Sequence, residues 1–269
     1  MDPALVLAPV VAFAISACTS MVGVSGALLL LPFQLSVLGL AGPSASATNM
    51  VYNLVATPGA IWRYAADRRM DWRLAADISV GSLPGLLAGW WIRSHWLLDP
   101  ARFKAFVGIV LLTLGVRLLV HQWRRRFRPA RSNVSLTEPR PRGAVFATAL
   151  VVGIVGGVYG IGGGAFMAPI LVAVFHRSLH LVAGALLLST FANSIAGVAM
   201  YTVLPAPLGV STGPDWVLGL LFGAGGTAGS YVGARWQSRV RAAPLEIALA
   251  GGITLLGAIY AFQSLPHYF

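Results

Sequence analysis

Four runs of amino acids constrain this chain more than any other feature. Residues 101–120, 144–159, 179–204 and 247–261 are largely apolar; the last three carry no Asp, Glu, Lys or Arg, and the first carries Arg102, Lys104 and Arg117 towards its ends. A helix needs about 20 such residues to cross a hydrocarbon layer about 30 Å thick. Water is absent there, so backbone N–H and C=O groups must bond within the segment, as a helix allows. Only 10% of the 269 residues are charged, where a soluble domain carries about a quarter. The expected class is an all-α polytopic membrane protein.

Apolar segments are expected at about 4–21, 26–40, 44–64, 72–92, 101–122, 143–160, 164–176, 180–204, 215–236 and 244–263. A stretch at 123–142 is different. It carries Arg124, Arg125, Arg126, Arg128, Arg131, Arg140 and Arg142, and Pro129, Pro139 and Pro141 make it a poor helix. The expected organisation is a first transmembrane repeat at 1–122, a basic cytoplasmic linker at 123–142 and a second repeat at 143–269. Met1-Asp2-Pro3 leads straight into an apolar run without the basic start of a cleavable signal peptide. The single cysteine, Cys18, excludes an internal disulfide. A net charge of +11 could mark a nucleic-acid binder, but these arginines sit in short loops between apolar runs, where they set topology. The expected partner is the lipid bilayer, not nucleic acid; a homo-oligomer is compatible with the sequence.

The two halves match in order. Gly23-Val24-Ser25-Gly26 aligns with Gly160-Ile161-Gly162-Gly163, and Pro32 then falls on Pro169. Asp71-Trp72 matches Asp215-Trp216, Gly81/Gly85/Gly89 match Gly225/Gly229/Gly233, and Pro100 matches Pro244. Gly108-Ile109 matches Gly252-Ile253. One glycine match would be chance among 31 glycines; an ordered series is a duplication. The apolar stretch across 4–40 would make a helix of about 55 Å at 1.5 Å per residue, too long for one crossing. Broken at its glycines, it fits a re-entrant hairpin. Each half then holds a Gly-broken re-entrant helical hairpin plus three transmembrane helices, and the odd number of crossings inverts the second repeat. With the linker inside, only Arg93, Arg102 and Lys104 of the 19 Lys and Arg lie outside. A parallel arrangement would also move Arg177, Arg235, Arg239 and Arg241 out, so the positive-inside rule favours inversion, with both termini outside. Trp62, Trp72, Trp90, Trp91, Trp123, Trp216 and Trp236 fall near span ends, where an amphipathic ring prefers to sit.

The chemistry is expected at the helix breaks. Glycine clusters let backbone approach closely, and unwound backbone at membrane depth is tolerated only inside protein or along a cavity. A helix restarting after such a break offers free N–H groups and a positive dipole end, a ready anion site. The candidate substrate-binding residues are Gly23, Ser25 and Gly26 in the first break and Gly160, Gly162, Gly163 and Gly164 in the second. Polar segments that follow add Thr48, Asn49 and Asn53, and Ser189, Thr190 and Asn193. Asn49 and Asn53 share a helix face by their spacing, as do Ser189 and Asn193. The competing reading for these amides is hydrogen bonding between helices, and for the glycine ladders packing of small residues is the favoured one. No buried Arg or Lys is evident as a counter-charge, and Asp77 stands as a lone acid within a span. Soluble-site motifs fail: Gly160–Gly164 lacks the Lys-Ser/Thr of a P-loop, and His176 and His180 lack a third metal ligand. No catalytic residue, metal or cofactor is expected, and the chain is not read as an enzyme. The glycosylation pattern at Asn133–Ser135 falls in the linker expected inside.

The Gly-x-Gly-Gly-Gly turn with its apolar run and proline, Gly160–Pro169, resembles the sulfite exporter TauE/SafE family. So do its first-half repeat, the polar segment after it and the Gly-x-x-x-Gly helix. The resemblance covers nearly the whole chain and implies a transporter of about eight helices for sulfur oxyanions and organosulfur anions. This sequence departs from the pattern where Ser25 and Ala27 replace glycines, and where Ala185-Leu186 replaces a Thr-Ser pair. The expected function is export of a small anion, a sulfonate or an oxyanion such as sulfite or sulfoacetate, from a bacterial inner membrane. The alternatives are a passive anion channel and an intramembrane enzyme.

Overall fold

A computed structural model describes residues 3–21, 25–68, 70–127, 142–173, 179–236 and 242–264. Gly23, linker residues 128–141 and His176 lie outside the described residues. The described residues form eleven helices and no strand: α1 (Pro3–Met21), α2 (Ala27–Ser36), α3 (Pro43–Ala56), α4 (Pro58–Ala66), α5 (Trp72–His95), α6 (Pro100–Phe127), α7 (Arg142–Tyr159), α8 (Gly164–Ala173), α9 (Leu179–Val203), α10 (Trp216–Trp236) and α11 (Ala242–Ser264). Four are long and apolar enough to cross a membrane, at Pro100–Val120, Arg142–Tyr159, Val182–Val203 and Ile247–Ser264.

Local chemistry explains most boundaries. Asp71 and Asp215 begin α5 and α10 alike, each carboxylate accepting the backbone N–H three residues on, Leu74 and Leu218, at 2.9 Å. Two expectations need correction. The segment expected at 44–64 is two helices, because Pro58 has no N–H with which to continue the α3 ladder and starts α4 instead. The stretch from 123, expected to be a poor helix, is helical at its start, since α6 continues to Phe127. Arginine is a good helix former, and no proline intervenes before Pro129.

The glycine ladders decide which helices touch. α5 packs on α7 and α10 packs on α1. A Cβ on Gly85 would lie 2.1 Å from the Leu150 carbonyl, and one on Gly229 would lie 2.2 Å from that of Phe13. Gly89 and Gly233 abut the carbonyls of Ile154 and Ala17 in the same way. When Gly26 is aligned with Gly163, Phe13 falls on Leu150 and Ala17 on Ile154. Each half of the chain thus lends its ladder helix to the other half's first helix, at matching registers. α6 and α11 pair with each other, Gly108 against Gly257 and Tyr260.

Large apolar side chains cover much of the outer surface, and polar groups lie within an otherwise apolar core. Val10, Ile109, Val151, Val203, Val217, Leu255 and Phe262 face outward, while Gln34, Asn49, Asn53, Ser189, Asn193 and Arg93 are fully buried. Among the tryptophans expected at span ends, Trp62, Trp72, Trp91, Trp123, Trp216 and Trp236 are exposed. Trp90 is not one of them: it packs in a core cluster with Met50, Val51 and Tyr201.

Candidate functional site

The two helix breaks have the same backbone plan. Leu29 and Leu30 N–H groups donate to the Gly26 carbonyl, and Phe166 and Met167 donate to that of Gly163. α2 and α8 therefore start at aligned positions. The second break is the sharper, with Gly160, Gly162 and Gly163 all at positive φ. That conformation costs a residue with a Cβ about 1 kcal/mol or more, so glycine is required. Ser25 stands in the first break where Gly162 stands in the second.

Each break rests on the polar helix after it. In the first, the Ser25 hydroxyl donates to Asn53 Oδ1 at 3.1 Å and accepts from the Ala27 N–H at 3.3 Å. Asn49 Nδ2 donates to the Ala27 carbonyl at 3.0 Å. Gly26 lies under the Tyr52 hydroxyl, itself bonded to Ser16. In the second, Asn193 Nδ2 donates to the Gly162 carbonyl and to Ser82 Oγ. Gly164 is pressed against Thr190 Oγ1 and the Leu186 carbonyl. Ser189 lies within 3.5 Å of Asn193 Nδ2. Thr48 is placed elsewhere. Its hydroxyl donates to Ser44 O and accepts the Asp215 N–H at the start of α10.

The breaks are also joined to each other. Tyr159, the residue before Gly160, donates its hydroxyl to the Leu28 carbonyl in the first turn of α2 at 2.7 Å. Ser46 of α3 donates to the Val158 carbonyl at 2.8 Å, and its backbone lies against Gly160. Several polar atoms around this junction are buried without a hydrogen-bond partner among the described residues: Asn49 Oδ1, Asn53 Nδ2, Asn193 Oδ1 and Ser194 Oγ. An unmet buried polar atom costs about 1–3 kcal/mol, so such a group either stores strain or awaits a partner.

A model of the sulfite exporter TauE/SafE family matches residues 8–260. The chain belongs to that family. Among curated relatives it is similar to a probable membrane transporter protein, YjnA of Bacillus subtilis, at 24% identity over 90% of this chain and 94% of the relative. YunE of Bacillus subtilis is 20% identical over 75% of this chain and 74% of its own, and y4hK of Sinorhizobium fredii is 23% identical over 73% of each. Both are likewise described as probable membrane transporter proteins. No solved structure matches.

Two charged residues of this TauE/SafE chain differ from expectation. Arg93, expected as a charge on the outer side of the membrane, is buried completely within the protein. Its guanidinium donates to Ser46 Oγ at 3.3 Å and to the carbonyls of Ala41 and Leu97, and stacks 3.6 Å over the Phe103 ring. The expectation of no buried cation is therefore overturned. A single arginine near the end of an apolar run reads as a surface charge, and its acceptors are mostly backbone carbonyls that sequence does not reveal. Asp77 is not alone either. It lies in the second turn of α5, 3.8 Å from Arg142 at the start of α7, so it belongs to a helix-end ion pair.

Proposed function

We propose that this TauE/SafE chain is a multi-pass carrier that exports a small anion, a sulfonate or sulfur oxyanion such as sulfite or sulfoacetate, across a bacterial inner membrane. Two inverted repeats, 1–122 and 143–269, each contribute a re-entrant hairpin and three spans, with the 123–142 linker cytoplasmic and both termini outside. The reciprocal seating of the glycine ladders supports the repeats. Arg93 no longer counts against the orientation, because a buried cation is not a loop charge.

The observation that carries the substrate reading is the junction of the two breaks through Tyr159 and Leu28. It sets two helix starts, and the unmet polar atoms of Asn49, Asn53 and Asn193, in one buried region. The anion binds between Gly23, Ser25 and Gly26 on one side and Gly160–Gly164 on the other. The amides of Asn49, Asn53 and Asn193 and the hydroxyls of Ser189 and Thr190 flank it. Helix N-termini near the midplane serve anionic groups in other inverted-repeat carriers.

The test is uptake into proteoliposomes of labelled sulfite, sulfoacetate, thiosulfate and taurine. Saturable, substrate-selective flux is expected. Flux that never saturates would make the protein a channel, and no flux for any of the four would overturn the substrate class.

A further inference from the structure

The C-terminal end of α5 holds a cluster that the proposed midplane site does not use. Trp90, Arg93 and Ser94 lie at spacings of three and four, on one side of the helix. Arg93 and Ser94 are 0% exposed and Trp90 is 6% exposed. Trp90 Nε1 and Ser94 Oγ are both buried with no hydrogen-bond partner among the described residues. The guanidinium has five N–H donors, of which three meet the neutral acceptors Ser46, Ala41 and Leu97. The ion pairs among the described residues join Arg63 to Asp67, Arg102 to Asp99 and Arg142 to Asp77; none involves Arg93. A buried charge without a counter-charge is costly, and folded proteins normally pair it.

We propose that Arg93, Trp90 and Ser94 form a second anion-binding subsite, specific for a small oxyanion, beside the glycine breaks. This deepens the transport reading given above and rests on it for the ligand's chemistry. The two unmet atoms, Trp90 Nε1 and Ser94 Oγ, can both donate, and Arg93 beside them in sequence is a cation with no counter-charge among the described residues. An oxyanion offers acceptor oxygens and a negative charge to such groups, while a cation or a neutral apolar solute offers neither. Arginine's planar fork suits such a group better than an ammonium does. The subsite is linked to the second break, because Ser46 accepts from Arg93 and donates to Val158, two residues before Gly160. In the alignment set by Gly85 with Gly229 and Gly89 with Gly233, the position of Arg93 is Gln237. The cation is therefore present in one half only, and the pathway it serves is electrostatically asymmetric.

The experiment uses the full chain in detergent, with sulfite, sulfate and chloride as probes, and measures the rise in melting temperature with anion concentration. Trp90→Phe and Ser94→Ala each remove an unmet donor and keep Arg93 in place. Their anion-free stability is expected to equal or exceed that of the parent, since a buried unpaired group is lost. Their sulfite affinity is expected to fall about tenfold each, the usual cost of one hydrogen bond to a charged partner. Arg93→Gln is expected to abolish the sulfite response, and Arg93→Lys to restore it only in part. If Trp90→Phe and Ser94→Ala bind sulfite as the parent does, the subsite is wrong even where vesicle flux upholds the transport reading. If the parent binds sulfite through these residues but vesicles show no flux, the subsite stands and the transport reading fails. A parent that responds to none of the three anions also overturns the subsite.

Discussion

Asn53 and Asn193 sit beside the two breaks, yet their amides are used differently. Asn193 Nδ2 holds the Gly162 carbonyl and Ser82, so it fastens the second break to α5. Asn53 accepts from Ser25 and leaves Nδ2 unmet. Asn53→Ala is therefore expected to raise the KM for the transported anion several-fold with a stability loss below about 1 kcal/mol. Asn193→Ala should lose about 1–3 kcal/mol of stability as well. Parallel thermal melts and flux titrations check this, and equal stability losses in the two variants would contradict it. Gly162 is the sharper case. Its φ is +72°, and a Cβ there would lie 2.8 Å from the Thr190 carbonyl. Gly162→Leu should abolish flux, because the side chain fills the space where backbone must meet the anion and also strains the turn. Normal flux by an inserted Gly162→Leu protein would place the anion elsewhere.

At the scale of helices, not every glycine carries the same demand. Gly85 and Gly229 touch opposing backbone, whereas nothing lies within 4 Å of a Cβ on Gly251 or Gly252. Gly85→Ala and Gly229→Ala should each cost about 1–3 kcal/mol, the range for overpacked contacts. Gly252→Ala should be neutral or stabilise by up to about 1 kcal/mol, since alanine restricts the unfolded chain. Melting of the purified variants orders them; a Gly252 change as harmful as a Gly229 change would contradict the packing. This contrast marks how far sequence reaches. Spacing of four residues along Gly225, Gly229 and Gly233 made a helix-packing face legible, and Asp71 and Asp215 made the helix starts legible. The split at Pro58 was readable in principle, since proline cannot extend a ladder, but continuous apolarity across 44–64 masked it. Gly108 and Gly252 align, yet only Gly108 meets a neighbour, because what opposes a glycine depends on a distant segment. Arg93 was hidden for the same reason: Ala41, Ser46, Leu97 and Phe103 converge on it from separate parts of the chain.

For the molecule as a whole, orientation and driving force are tested together. Both termini and the loop at 205–214 are expected outside, with 124–142 inside. Single cysteines in a Cys18→Ser background report this, since Cys18 is itself exposed and its removal leaves one thiol per variant. Labelling of a linker cysteine by an impermeant reagent added outside would refute the inverted arrangement. Given that orientation, an inside-negative potential drives an anion outward by about 2.3 kcal/mol per charge per 100 mV, which sustains a gradient of about 50-fold per charge. Export then requires no coupled ion. Two acids support this view: Asp77 pairs with Arg142 at a helix end, and Asp215 caps α10. Neither is the isolated buried carboxylate that a proton relay uses. Asp77→Asn should therefore retain most of the flux, losing at most the modest stability of a partly exposed pair, below about 1 kcal/mol. Flux in vesicles should follow an imposed potential at equal pH on both sides. Flux that ignores the potential, tracks a pH gradient and vanishes in Asp77→Asn would establish proton coupling through Asp77 instead.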